Sequence, residues 1–284
     1  MSRGRYDWSV EENSANIASC VYFSTANVVE MSGNLVKTDA NGEDTNTVLG
    51  ISAVQSGNLA GNNNTIIGAN AAQALSAAGA YRNTVIGGQA LRYARGGTAR
   101  YNDAFGFQAL NSCTSGMENQ AFGNRALQAL TTGNYNTALG ENAGESLVDG
   151  ERNLAIGFKS LDSGVSQKYC VALGMYALQN ATLSANIGIG YMGGANITSG
   201  ADNIAIGYDV SVPTPTGDNQ LTIGDTVRGD MSQKEVYLGC PSVVAADGDL
   251  KVGEITFAAE DNSTLSFKVK RPNGSALTGT VAIT

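Results

Sequence analysis

The chain has 284 residues with 36 Gly and only 4 Pro, and 15% of it is charged, against about 25% in an ordinary soluble domain. Its net charge is −8 and it contains no His, which excludes imidazole acid–base chemistry, a Ser–His–Asp or Cys–His nucleophile and any His-ligated metal. The acidic balance argues against nucleic-acid binding, which depends on neutralising phosphates, and a hydrophobic content of 42% at regular positions argues against disorder.

The four cysteines, Cys20, Cys113, Cys170 and Cys240, lie far apart and form no C-x-x-C pair. They read as buried thiols, with a disulfide or a reactive thiol as the alternative. No apolar run follows the basic residues of the opening MSRGRYDWSVEENS, and no stretch reaches the ~18 apolar residues of a membrane helix. A soluble protein is expected, with no membrane insertion, no metal and no cofactor.

Residues 1–45 carry no repeat: YDWSVEEN at 6–13 and CVYFSTANVV at 20–29 suggest a polar lead and then a strand. This segment is expected to cap the structure that follows, or to dock it onto a larger assembly. Uncapped β-edges invite aggregation.

Residues 46–239 repeat a short unit, N-x-A-h-G with h a large apolar residue. Copies end at Gly50, Gly68, Gly87, Gly106, Gly123 and Gly140, then at Gly157, Gly174, Gly190 and Gly207, with degenerate copies QLTIG and EVYLG at Gly224 and Gly239. Spacings run from 15 to 19 residues and average about 17; all twelve copies keep Gly and nine keep Asn. An Ala/Leu signal follows each Gly, as in GQAL at 88–91 and NRAL at 124–127, and then a small polar turn such as TTG at 131–133. The unit therefore reads as a short strand, a Gly corner, an Ala/Leu segment of about one helical turn, and a second Gly turn. That length is too short for a helical hairpin or a propeller blade and fits one coil of a parallel β-solenoid. With adjacent strands about 4.8 Å apart, the eleven intervals predict a stack about 53 Å long.

Two residue types explain the stacking. Gly at the corner adopts backbone angles closed to residues with a Cβ. The Asn that opens each strand, as at Asn64, Asn83, Asn102, Asn119, Asn136, Asn153 and Asn203, can join its counterpart one coil away in an amide ladder. Local turn bonds to the backbone are the alternative.

Strand side chains alternate between faces, yet both positions before each Gly are apolar. One face carries Leu49, Ile67, Ile86, Phe105, Phe122, Leu139, Ile156, Leu173, Ile189 and Ile206. The other carries Val48, Ile66, Val85 and then mostly Ala, from Ala104 to Ala205. A single solenoid needs only one of these faces inside. A second chain is expected to cover the other, with the small residues allowing close approach. The alternative is a monomer in which the segment after the Gly folds back over the strand.

Residues 240–284 change character. DLKVGEITFAA at 249–259, TLSFKVKRP at 264–272 and GTVAIT at 279–284 read as antiparallel strands, with Asn273-Gly274 a strong hairpin signal. A small C-terminal β domain, a tip or cap, is expected here.

The run GNYNTALGENAGESLVDGERNLAIGFKSL at 133–161 resembles the G-x-x-N-x-A-x-G-x-x-A repeats of bacteriophage tail-fibre and tail-spike proteins. It is also similar to the N-S-x-A-I-G repeat in the heads of trimeric autotransporter adhesins. The resemblance covers about residues 46–239 and implies parallel β-rolls in a homotrimer that adheres to a cell surface. Neither a signal peptide nor an outer-membrane anchor is evident, which favours the phage family. The coil here is longer than the usual adhesin rung, and no self-cleaving C-terminal chaperone is recognisable. The expected function is thus a non-enzymatic virion fibre, on the tail or another surface appendage. Its partners would be its own copies, other virion proteins and a host surface glycan or protein. The alternatives are a depolymerase that cleaves a surface polysaccharide and a non-binding shaft or capsid decoration.

One cluster stands out as a candidate glycan contact. RNTVIGGQALRYARGGTARYND places Arg82, Arg92, Arg95 and Arg100 beside Tyr81, Tyr93 and Tyr101. Aromatic faces stack on sugars, and Arg holds carboxylate or phosphate in bidentate pairs. The alternative is that these side chains answer carboxylates of another chain or simply cover the shaft. A depolymerase would need a carboxylate pair, for which Glu141, Glu145, Asp149 and Glu151 are the loop candidates. RGD at 228–230 is too short a signal to carry a function, and the Thr47, Thr65, Thr84 series breaks at Asp103 and Gln120.

Overall fold

The computed structural model describes residues 36–37, 46–54, 61–75, 80–96, 98–224, 227–233, 235–238, 255–261, 264–270 and 276–282. Cys20, Cys240, the segments at 6–13 and 20–29 and the Asn273-Gly274 turn lie outside them. The fold divides into two units, Met1–Leu139 and Gly140–Thr284. Each contains a parallel β-solenoid with coils of about 17 residues, and no helix occurs among the described residues.

In the first unit a short strand β1 (Val36–Lys37) pairs antiparallel with β2 (Asn46–Leu49). The strands β2, β3 (Thr65–Ile67), β4 (Thr84–Ile86), β5 (Asp103–Phe105), β6 (Gln120–Phe122) and β7 (Thr137–Leu139) then stack in parallel, each on the one before. The register is strict: Thr65 faces Thr84, Ile66 faces Val85 and Ile67 faces Ile86.

In the second unit β8 (Leu154–Ile156), β9 (Val171–Leu173), β10 (Ile187–Ile189), β11 (Ile204–Ile206) and β12 (Gln220–Ile223) stack the same way. The pairing then turns antiparallel through β13 (Val227–Asp230), β14 (Glu235–Leu238), β15 (Ile255–Asp261), β16 (Thr264–Lys270) and β17 (Ala276–Ala282). The EVYL copy before Gly239 is therefore not a coil. It lacks both the Asn and the small inward residue that a parallel coil uses, and it forms strand β14 of the meander.

The corner glycines are needed twice over. Gly87 has φ +143°, and a Cβ there would lie 2.3 Å from the carbonyl oxygen of Gly106 in the next coil. Gly116, in the second turn, leaves the same kind of gap: a Cβ would meet the Gly133 oxygen at 2.5 Å. Adjacent coils approach too closely at both places for any side chain.

The Asn residues form the ladder and the turn bonds together. Asn64 Nδ2 donates to Asn46 Oδ1 at 3.0 Å and to the Ala80 carbonyl at 3.0 Å, while the Asn64 backbone N–H donates to Asn46 Oδ1 at 2.8 Å. Its own Oδ1 accepts the N–H and Nδ2–H of Asn83, both at 2.9 Å. Two donated and two accepted side-chain bonds use the full capacity of a buried amide. The turn carbonyl lies at the end of the same coil, and the bonds to Asn46 and Asn83 reach the coils on either side, so each Asn ties three coils. The same pattern runs through Asn83, Asn102 and Asn119, and Asn136 donates its N–H and Nδ2 to Asn119 Oδ1.

The interior is thin, and this decides which face points inward. Ala104, Ala121 and Ala138 are buried, as are the turn leucines Leu91, Leu110 and Leu127 that pack opposite them. The small-residue face expected to meet a second chain is therefore the core. A turn Leu already fills each coil, so only a small strand residue fits beside it. Coil length adjusts this fit. The strands β2, β3 and β4 open coils of 18, 19 and 19 residues and carry Val48, Ile66 and Val85 inward. From β5 the coil shortens to 17 and the inward residue becomes Ala104. After the 16-residue coil that β9 opens, Gly188 is the inward residue, and a Cβ there would strike Leu178 at 2.7 Å.

The Ala/Leu segment is not helical. Gln89 and Leu91 have φ near +59° and +47°, so left-handed residues alternate along it. Their N–H groups consequently point to opposite neighbours: Gln89 donates to Ala69 O at 2.9 Å, and Leu91 to Ala109 O at 2.9 Å. A helical turn would spend those groups within one coil and leave the coils unlinked on that side.

Candidate functional site

Each solenoid presents its outward strand residues as columns, because identical coil positions fall on one another. In the first unit the inner column of polar positions reads Thr47, Thr65, Thr84, Asp103, Gln120 and Thr137. Beside it runs an apolar column, Leu49, Ile67, Ile86, Phe105, Phe122 and Leu139, of which Leu139 is 51% exposed. Phe105 and Phe122 stack face to face with centroids 4.7 Å apart.

In the second unit both outward positions of every strand are aliphatic. The pairs are Leu154/Ile156, Val171/Leu173, Ile187/Ile189, Ile204/Ile206 and Leu221/Ile223, and all ten are at least partly exposed. Rings after the corner glycines flank this face: Phe158, Tyr176, Tyr191 and Tyr208 meet at centroid distances of 5.4, 6.2 and 5.1 Å. Tyr208, at the end of that series, is 80% exposed.

The seven Arg and Tyr residues sort into two groups on different parts of the coil. Tyr81, Arg82, Arg100 and Tyr101 lie just before the ladder Asn residues. There Arg82 Nη1 donates to the Tyr101 hydroxyl at 2.9 Å and its guanidinium lies 5.5 Å from that ring's centroid. Arg100 lies 5.6 Å from the Tyr81 ring, and the two rings meet edge to face at 5.4 Å. Arg92 and Arg95 instead flank Tyr93, at 5.2 and 5.6 Å, after the turn leucine, and Arg92 Nε donates to Gln73 at 2.8 Å. The guanidinium groups thus engage rings and amides of their own chain. No ring or hydrogen-bond contact joins the two groups among the described residues.

The corner position before each ladder Asn holds an uncommon backbone. Arg82, Tyr101, Glu118 and Tyr135 have φ of 57°, 57°, 57° and 60°. Non-Gly residues at such angles often signal function, but here nearly every coil repeats them, from Asn63 to Asn219, so the cause is coil closure. Between these corners the first unit has a shallow cleft of about 600 Å³ lined by Tyr101, Glu118, Gln120 and Tyr135. Of these residues, only Tyr101 belongs to the cluster singled out by the sequence. Aligning the coils in columns, rather than reading neighbours along the chain, is the signal that finds the other three.

The candidate carboxylates are engaged or scattered. Glu151 pairs with Lys168 at 3.3 Å and Arg152 at 3.8 Å, and Glu145 accepts from Asn142 Nδ2. Glu141 and Asp149 are exposed. Burial pushes the Asp162 carboxyl up from its ordinary range; Lys159 at 3.9 Å opposes that, and Glu145 adds to it. The RGD triplet lies in β13, paired on both sides by β12 and β14, and not in an exposed loop. Among the described residues no group of three or more Cys, Asp or Glu is placed to hold a metal ion, and no helix is long and apolar enough to cross a membrane.

The buried thiols carry no reactive signature. Cys113 and Cys170 are free, and burial pushes their pKa values up to about 12 and about 11. Cys170 occupies an Asn position of the ladder. Its N–H still donates to Asn153 Oδ1 at 3.0 Å, but its thiol offers no amide to the next coil, and Asn186 Nδ2 turns to the Leu183 carbonyl. At the last coil Gln220 restores the ladder, its N–H and Nε2 donating to Asn203 Oδ1 at 2.8 and 3.2 Å.

No protein-family model, no curated protein and no solved structure matches the chain.

Proposed function

We propose that this chain is a structural fibre protein of a bacteriophage virion, a homotrimer that attaches to the host cell surface through many weak contacts. The observation that carries the reading is the all-aliphatic outward face of β8–β12. Parallel sheets are ordinarily covered on both faces, and an exposed apolar strip of this kind marks an interaction surface. The regular coil spacing favours another copy of the same chain, whose face repeats at the same interval. The number three comes from the resemblance of the repeats to phage fibres and adhesin heads. Three copies per fibre, and several fibres per particle, convert weak contacts into avidity. Among the described residues the candidate carboxylates Glu141, Glu145, Asp149 and Glu151 are exposed or engaged by their own chain, which favours binding without chemistry.

The test is adsorption. Fluorescently labelled full-length protein should bind whole bacteria of a susceptible strain and compete with particle adsorption. It should release no oligosaccharide from purified surface polysaccharide. Absence of binding to every strain whose phages carry such repeats would leave only a shaft or decoration role.

A further inference from the structure

The cleft of the first unit brings two tyrosines, a carboxylate and an amide together. Tyr101, Glu118 and Tyr135 occupy the same corner of three successive coils, and Gln120 projects beside them from β6. Each corner is held by a backbone bond to the preceding coil: Tyr101 N–H to Tyr81 O, Glu118 N–H to Arg100 O and Tyr135 N–H to Met117 O, all at 3.1 Å. Arg82 fixes the Tyr101 hydroxyl from the neighbouring coil. The two tyrosines are 37% and 46% exposed; Arg82 and Tyr81 already lie against the Tyr101 ring, so a ligand meets the part of its surface that remains exposed.

We infer that this cleft binds a neutral saccharide, with pyranose faces against Tyr101 and Tyr135 and hydroxyls bonded to Glu118 and Gln120. The two tyrosine corners are two coil steps apart, about 9.6 Å, close to the length of a disaccharide. An aromatic platform accepts the apolar face of a sugar ring. A carboxylate and an amide between the platforms match a row of hydroxyls, which both donate and accept. Glu118, between the two platforms, repels a uronate or phosphate placed there, while Arg82 keeps its positive charge at the Tyr101 hydroxyl. A purely apolar ligand would leave the carboxylate without hydration. The polar column of Thr84, Asp103, Gln120 and Thr137 lies between the cleft and the apolar column ending at Leu139. The cleft is therefore on the wet side of any contact made through that column.

This inference rests on the attachment reading and gives it a ligand. The experiment is saturation-transfer NMR on the full chain with neutral tetrasaccharides of glucose, galactose and N-acetylglucosamine, and a tetragalacturonate as charged control. At least one neutral probe should bind, and the galacturonate should not. Tyr101→Ala and Tyr135→Ala should each weaken that binding roughly tenfold, with mass in solution unchanged. Glu118→Gln, which keeps the shape, should admit the galacturonate. Binding that survives both tyrosine substitutions, or no binding by any neutral probe, overturns the inference. So does loss of assembly in the tyrosine variants, which would place the cleft in a subunit contact. Whole-cell binding of the wild type, measured alongside, separates the outcomes: cells bound without the cleft leave attachment standing, and cells not bound remove both.

Discussion

The two solenoids share one coil and differ in what they show to the outside. In the first unit a polar column from Thr47 to Thr137 runs beside a single apolar column, and the amide ladder is continuous from Asn46 to Asn136. In the second unit both outward columns are aliphatic, and Cys170 interrupts the ladder. The corner Gly recurs in both units, and coil length sets the inward residue in each, from Ile66 in a 19-residue coil to Gly188 after a 16-residue one. The outward positions are free of that constraint, and the difference between the units fits the proposed tasks, with the polar, cleft-bearing face for ligand contact and the aliphatic face for association.

The largest effect should come from what the units share. Gly87→Val sets a Cβ 2.3 Å from the Gly106 oxygen at φ +143°, and should cost more than about 4 kcal/mol. Circular dichroism during heating should lose the folded transition of the first unit; a native-like melt would refute the close-approach argument. Next come the outward faces. Ile189→Glu puts a charge into the aliphatic face and should dissociate the assembly, because an unpaired buried charge costs several kcal/mol. Thr84→Glu, in the polar column, should leave the assembled mass unchanged. Equal behaviour of the two variants would erase the contrast.

The ladder offers a smaller and opposite pair. Asn119→Ala removes the donors to Asn102 Oδ1 and Gly133 O and the acceptor for the Asn136 N–H, and should destabilise by about 2–4 kcal/mol. Cys170→Asn should repair the break in the second unit and raise Tm by a few degrees. The smallest effect concerns pH. Cys113 and Cys170 ionise only at about 12 and 11 when folded, against 9.0 ordinarily. Between about pH 9 and 12 the unfolded chain releases protons that the folded one keeps, so stability falls as pH rises through that window. Below pH 9 both thiols should resist alkylation until the chain unfolds, as peptide mapping by mass would detect.

The coil was readable because backbone geometry demands it. Gly87 and Gly106 leave no room for a side chain, and Asn64 or Asn83 is the residue whose amide spans three coils, so both types recur in plain sight. The inward face was not readable. Ile86 and Val85 are both apolar, and only the filling of the coil by Leu91 decides between them. The left-handed Gln89 and Leu91 also carry no local mark, so the Ala/Leu run looked helical. The cleft stayed hidden for a related reason. Tyr101, Glu118 and Tyr135 are 17 residues apart in sequence and adjacent only once the coils stack.

Mass in solution, by light scattering coupled to size exclusion, tests the central claim most directly. The aliphatic face of β8–β12 predicts an assembly larger than one chain, the resemblance of the repeats sets the proposed mass near three times 29.2 kDa, and Ile189→Glu should reduce it to the single-chain mass. A wild-type chain of 29.2 kDa at all concentrations would contradict it, and the face would then have to tolerate water as it stands.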